Sequence, residues 1–156
     1  MVRFKNRWIL VEFLSSGGRL LPEPESDNEP DTTNIRDAIR ESVIQNFGES
    51  GWGSVGDSLY VKYYSPTTKI CIIRVARDHH RIAWAAITLI TELRNQSCIP
   101  HVIHVSGTLK KVQLAAIEYN RVLVAKLKAR SNEERQKQLT DYLEKSDKDI
   151  NTIDAS

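Results

Sequence analysis

The residues best suited to chemistry lie in one stretch, SGTLKKVQLAAIEYNR, from Ser106 to Arg121. Gly107 permits a tight passage from strand to helix, through a positive φ or a close approach of a ligand. A helix beginning at Thr108 would turn the N–H groups of Thr108, Leu109 and Lys110 outward with the positive end of its dipole. With Ser106 before it and Lys110 and Lys111 beside it, that start is suited to a phosphate. The competing reading is an ordinary helix cap with two solvated lysines. Helical spacing places Leu109, Val112, Ala116, Tyr119, Leu123 and Leu127 in one stripe that should pack on a sheet. Roughly opposite runs a strip of Lys110, Leu114, Ile117, Arg121 and Lys128. Its alternation of cations and apolar groups suits a contact with another protein, for which Leu114 and Ile117 would serve, or with RNA.

Other constellations carry less. Gly51, Gly53 and Gly56 match a G-x-G-x-x-G pattern, but a dinucleotide site needs a strand before it and a helix after it, and here the order is reversed. His101 and His104 are three apart in a strand and should point to opposite faces, so they should not share a metal. His79 and His80 open a helix and read as surface groups. Only three carboxylates, Asp78, Glu92 and Glu118, lie between residues 60 and 130. Protein-borne nucleases cluster carboxylates around metal ions. No catalytic residue and no metal site are therefore assigned to this chain.

These residues need a frame. Arg7 to Leu14 reads as a strand, and the acidic, proline-rich stretch near 22–34 as a loop. A helix follows from Asp31–Asn34, striped by Ile35, Ala38, Ile39 and Val43, and should stop at Gly48. After a GESGWGSVG loop, SLYVKYY and KICIIRVAR form a hairpin around Ser65-Pro66. Asp78 should cap a long helix striped by Ile82, Ala85, Ala86, Leu89 and Leu93. Pro100 should open the last strand, HVIHVS, before the helix from Thr108 to Ala129. Ser131 and Glu134 form a capping-box pattern for a short polar helix, and the tail after Ser146 is expected to be disordered. The fold class is thus α+β: a ferredoxin-like or RNA-recognition-like β-α-β-β-α-β sandwich with an added C-terminal helix. Residues 1–130 form the single RNA-associated domain and 131–156 the polar helix and tail. KICIIRVAR has no aromatic residue, so base stacking on the sheet is not expected, and Trp8, Tyr60 and Tyr64 are assigned to core or interface packing.

Composition sets the outer limits. The chain has 156 residues, 40% hydrophobic and 27% charged, with a net charge of +2. That balance hides a segregation: residues 60–130 hold twelve basic and three acidic side chains, whereas 22–59 hold two basic and nine acidic ones. A basic body with acidic appendages favours a polyanion. No apolar run approaches the ~18 residues of a membrane span, and Glu12 interrupts the apolar opening before it resembles a secretory leader. Cys71 and Cys98 are too far apart in sequence for a metal knuckle and read as reduced thiols of an intracellular protein.

Three blocks in order, VRFKNRW (Val2–Trp8), YYSPTTKICIIRVAR (Tyr63–Arg77) with the following HRIAWAAITLI, and SGTLKKVQLAAIEYNR, resemble the Pop-five-type small protein subunits of ribonuclease P and ribonuclease MRP. The resemblance covers about residues 2–130 and leaves out the acidic loop and the tail. It implies a non-catalytic role in a ribonucleoprotein endonuclease whose RNA holds the active site. No cofactor would be bound by the protein, and Mg2+ would sit on the partner RNA. It further implies a catalytic RNA partner, a barrel-shaped protein subunit among others, indirect contact with precursor tRNA, no membrane, and residence in nucleus and nucleolus. The basic opening, Arg3, Lys5 and Arg7, joins Ser106, Gly107, Thr108, Lys110, Lys111, Arg121 and Lys128 as candidate RNA contacts. Two alternatives remain: a free-standing RNA-binding or ribosomal-type module of the same fold, and a small acylphosphatase-like hydrolase. The hydrolase would need an anion loop with Arg and Asn, and the loop after the first strand offers Gly17, Gly18 and Arg19 with no Asn.

Overall fold

From Trp8 to Leu14 every position of the first strand but Glu12 is apolar, so both of its faces must be covered, and this decides the architecture. The computed structural model describes residues 4–15 and 29–155. The strand β1 (Asn6–Ser15) pairs antiparallel with β3 (Ile70–Ala76) on one side and β5 (Gln96–Ser106) on the other. A five-residue strand β2 (Tyr60–Tyr64) flanks β3, and a two-residue β4 (Glu92–Leu93) flanks the start of β5, giving the order β2-β3-β1-β5-β4. Without β4 this is the ferredoxin-like arrangement expected from the element order.

Alternation splits the core in two. Ile9, Val11 and Phe13 of β1 join Cys71, Ile73 and Val75 of β3 under the helices α1 (Thr32–Val55) and α2 (His80–Thr88). Trp8 and Leu10 join Ile70 and Ile72 on the opposite face, beneath α3 (Leu109–Lys128) and α4 (Glu133–Asn151). The sheet face left open by a bare ferredoxin-like fold is therefore filled by the chain's own C-terminal helices.

Several local expectations are corrected. The α1 start falls where the sequence suggests and closes as a reciprocal capping box, with the Asn34 N–H donating to Asp31 Oδ1 at 2.7 Å and the Asp31 N–H to Asn34 Oδ1 at 3.0 Å. Gly48 does not end α1. It kinks it, with φ of 74°, and the GESGWGSVG segment resumes as helix to Val55. Burial of Gly51 and Val55 outweighs the loop-like glycine and serine content there. Asp78 makes no cap; α2 begins after a 3-10 turn, Arg77–His79, and stops at Thr88. Its buried face is Ala83, Ala86 and Ile87, while Leu89 is exposed. The rotation is set by α1, whose Ser42 hydroxyl donates to the Ala86 carbonyl at 2.6 Å. Leu93 is buried, but in β4. Arg94 and Asn95, both at positive φ (47° and 63°), make a two-residue primed turn into β5. So β5 starts at Gln96, and Pro100 lies inside it opposite Phe13.

The C-terminal part departs most. Asn132, not Ser131, caps α4, accepting from the Arg135 N–H at 3.1 Å. The tail expected to be disordered after Ser146 instead continues α4 to Asn151, and Ile150 is fully buried with Trp8, Ile72 and Val112. The reason lies in side chains that only pair through space. Asn120 Nδ2 donates to Ser146 Oγ at 2.9 Å, Ser146 Oγ lies 2.8 Å from the Tyr63 hydroxyl, and Gln113 Nε2 donates to the Ile150 carbonyl at 2.9 Å. The Tyr142 hydroxyl reaches Ser65 and Thr68. These bonds widen the buried arc of α3: Gln113, Ile117, Asn120 and Val124 are buried, whereas Leu109, Tyr119 and Leu123 of the expected stripe are only half-buried. Burial, with Tyr142 nearby, pushes the Tyr63 hydroxyl pKa above the usual tyrosine value.

Both cysteines are free thiols. Burial, then Glu92, pushes the Cys98 thiol up to about 11, and burial raises Cys71 as well.

Ile150→Ala should therefore cost about 2–4 kcal/mol, as for other buried Ile truncations. A urea or thermal melt checks this; an unchanged midpoint would mean that the end of α4 is not docked. At pH 8, Cys98 should alkylate well below the rate of an unperturbed thiol, and its rate should climb toward pH 11, as intact-mass kinetics can follow.

Candidate RNA interface

The strand-to-helix passage at Ser106 is built by two contacts. Ser106 pairs with Trp8 of β1 at the end of β5 and is buried. Its hydroxyl accepts the Thr108 N–H at 3.2 Å, which turns the chain into α3. The Thr108 N–H is thus occupied rather than outward. The Thr108 side chain makes no cap bond, so the N–H groups of Leu109, Lys110 and Lys111 are left without partners inside the helix.

Gly107 does not take a positive φ, which removes the first of the two sequence expectations, a left-handed turn or a close approach. Its lack of a side chain serves packing instead. A Cβ there would lie 3.2 Å from Nη1 of Arg7, so the guanidinium of β1 rests against the glycine. Arg7 also donates to the Asn6 carbonyl at 3.2 Å. The Lys5 carbonyl accepts the Arg77 N–H at 2.9 Å, which ties the start of β1 to the turn before α2. That bond uses only the Arg77 backbone; its guanidinium lies 3.6 Å from Asp78.

Arg7, Lys110 and Lys111 thus gather at the positive end of α3, and the first turn of that helix contains no acidic residue. Lys110 and Lys111 are exposed, and neither is in an ion pair among the described residues. Cations placed at a helix N-terminus are unfavourable on their own and become favourable when an anion arrives. Arg3 lies outside the described residues.

The second strip does not hold together. Ile117 is only 8% exposed and packs in the core with Trp8 and Ile72, so it is not a partner surface. Leu114 is 54% exposed. Arg121 is paired with Asp147 of α4 at 3.1 Å. Lys128 is half-buried and lies about 25 Å along α3 from Lys111 at 1.5 Å per residue, so it belongs to no common cluster.

A bulge in the β1–β5 pairing also changes the histidines. His101 faces Glu12 and His104 faces Leu10, two residues apart on β1, so both fall on the same side of the sheet rather than opposite sides. His101 Nδ1 lies 2.7 Å from the buried Glu12 carboxylate. Among the described residues no group of three His, Cys, Asp or Glu side chains could hold a metal ion. No helix among them is long and apolar enough to cross a membrane.

The family model described as Rpp14/Pop5 family matches residues 7–117. A Schizosaccharomyces pombe protein named "Ribonuclease P/MRP protein subunit POP5" is 47% identical over 124 residues, covering 78% of this chain and 89% of its own. The Arabidopsis thaliana "Probable ribonuclease P/MRP protein subunit POP5" is 34% identical over 152 residues, covering 93% and 96%. A chain in the "Cryo-EM structure of yeast Ribonuclease MRP" superposes with a TM-score of 0.46 at 12% identity, covering 70% of this chain and 79% of that one.

Two outcomes follow from the geometry. Gly107→Ala should change stability by less than about 0.5 kcal/mol, since the new methyl meets only the movable end of Arg7; a large fall in Tm would restore the strained-turn reading. Arg121→Ala should cost under about 1 kcal/mol, as for other exposed ion pairs, and a melt in high salt should shrink even that.

Proposed function

The chain belongs to the Rpp14/Pop5 family, and we propose that it is a non-catalytic protein subunit of the ribonucleoprotein endonucleases ribonuclease P and MRP. Its part is to hold the RNA in its working fold. The observation that supports this best is the start of α3, where Arg7, Lys110 and Lys111 crowd a helix N-terminus that has no acid in its first turn. Phosphate oxygens are the chemical match for that arrangement, and contacts of this kind position a nucleic acid without reading its sequence.

In this reading the cut is made by the RNA, with Mg2+ bound there, and the substrates are the 5′ leader of precursor tRNA and, for MRP, precursor rRNA. The protein meets a barrel-shaped subunit and further subunits in the particle, and it works in the nucleus and nucleolus. Purified protein without RNA should then fail to cleave precursor tRNA in Mg2+; multiple-turnover cleavage by RNA-free protein would end the proposal.

The sharper test is salt dependence. Each phosphate contact releases counterions and adds about 0.7–0.9 to the log–log slope of affinity against salt. Replacing Lys110 and Lys111 together by alanine should lower that slope by roughly 1.5, with a similar loss for different RNA sequences. Arg135 and Lys137, on α4, serve as the control pair and should matter little. Binding to the catalytic RNA at several salt concentrations measures both. An unchanged slope in the Lys110/Lys111 variant would show a helix start that is merely solvated.

A further inference from the structure

One row of residues runs straight across the sheet from the α3 start. Ser106 pairs with Trp8, Trp8 with Arg74, and Arg74 with Tyr60 on the edge strand β2. Three strand spacings separate its ends, about 14 Å. Trp8 is buried in the core, whereas Tyr60 at the far end is 47% exposed. The Arg74 guanidinium lies 4.7 Å from the Tyr60 ring centroid, and Lys62 Nζ lies 5.5 Å from it.

The segment after α4 closes over this cluster. Beyond α4, the Ala155 carbonyl accepts from Arg74 Nη1 at 3.1 Å, and Asp154 Oδ1 lies 3.5 Å from Lys62 Nζ. Ile153 is packed against the core just before them. The fit is incomplete: Arg74 Nε is buried and has no hydrogen-bond partner among the described residues. A buried N–H left unmade carries a penalty. A phosphate, whose oxygens can take two guanidinium N–H groups side by side, would satisfy what a carbonyl and a carboxylate do not.

We propose that Tyr60, Lys62 and Arg74 form a second site for single-stranded RNA, a base on Tyr60 and a phosphate on the two cations, and that residues 154–155 occupy it until RNA displaces them. The inference rests on the reading of the chain as an RNA-bound subunit, yet it shares no residue with the α3 start, so the two can fail separately.

The test uses a fluorescent oligouridylate of about ten nucleotides, within the range that one stacking platform covers. Anisotropy is measured for the full chain, for the chain ending at Ile153, and for each with Tyr60→Leu. Removing residues 154–156 should tighten binding by up to about fivefold, the equivalent of releasing one surface ion pair. Tyr60→Leu in the shortened chain should weaken it by roughly tenfold, the scale of one base–aromatic stack, with Tm held as the check on folding. Arg74→Gln should reproduce that loss. No tightening on truncation, or no loss with Tyr60→Leu in the shortened chain, overturns this site. If Lys110→Ala with Lys111→Ala still weakens binding in that case, the first site stands while this one falls. If truncation tightens binding of an oligoglutamate but not of oligouridylate, the patch serves an acidic protein segment and the RNA site is overturned.

Discussion

The rest of the molecule depends on the two-sided burial of β1. Trp8, Ile9, Leu10, Val11 and Phe13 are all buried, with strands on both sides and helices on both faces. Each such side chain contributes about 1.5–3 kcal/mol when fully removed from water. A strand of this kind cannot lie on a half-solvated sheet. It needs α1 and α2 above Ile9 and Val11, and it equally needs α3 and α4 above Trp8 and Leu10. The one carboxylate in that run, Glu12, is buried on the second face and is met by His101 across the β5 pairing.

That constraint fixes where the charges end up. With α3 laid over Leu10, its N-terminus is delivered to the end of the sheet where β1 begins, and Arg7 and Lys110/Lys111 converge there. The acidic α4 lies alongside α3, taking Arg121 into an ion pair, and its extension brings Asp154 to Lys62. The C-terminal segment therefore neutralises parts of the basic body and leaves the α3 start uncovered. A basic body with acidic appendages becomes, in three dimensions, a surface sorted into covered and uncovered cations.

Polar side chains secure this sorting. Gln113, Asn120, Ser146 and Tyr63 bridge α3, α4 and β2, where purely apolar packing would leave the two helices free to slide. In the sequence these residues look like interruptions of an apolar stripe. Asn120 is fully buried, a position explained only by Ser146, twenty-six residues on.

Sequence by itself determined the strands of the central sheet, the start of α1 among its cap residues, the helix from Leu109 and the family blocks, because all of these are local: alternation, cap chemistry and short motifs are written within a few residues. It also located the Lys110–Lys111 start, since a glycine, a helix onset and two lysines are neighbours in the chain. It misjudged Gly48, the rotation of α2, the β4 hairpin, the fate of Ile117 and the end of α4. Each was decided by contacts between distant segments: Ser42 with Ala86, Asn120 with Ser146, Ile150 with Trp8. Arg7 against Gly107, and the row from Ser106 to Tyr60, likewise exist only once strand register is set, because register places side by side residues that the chain keeps up to a hundred positions apart.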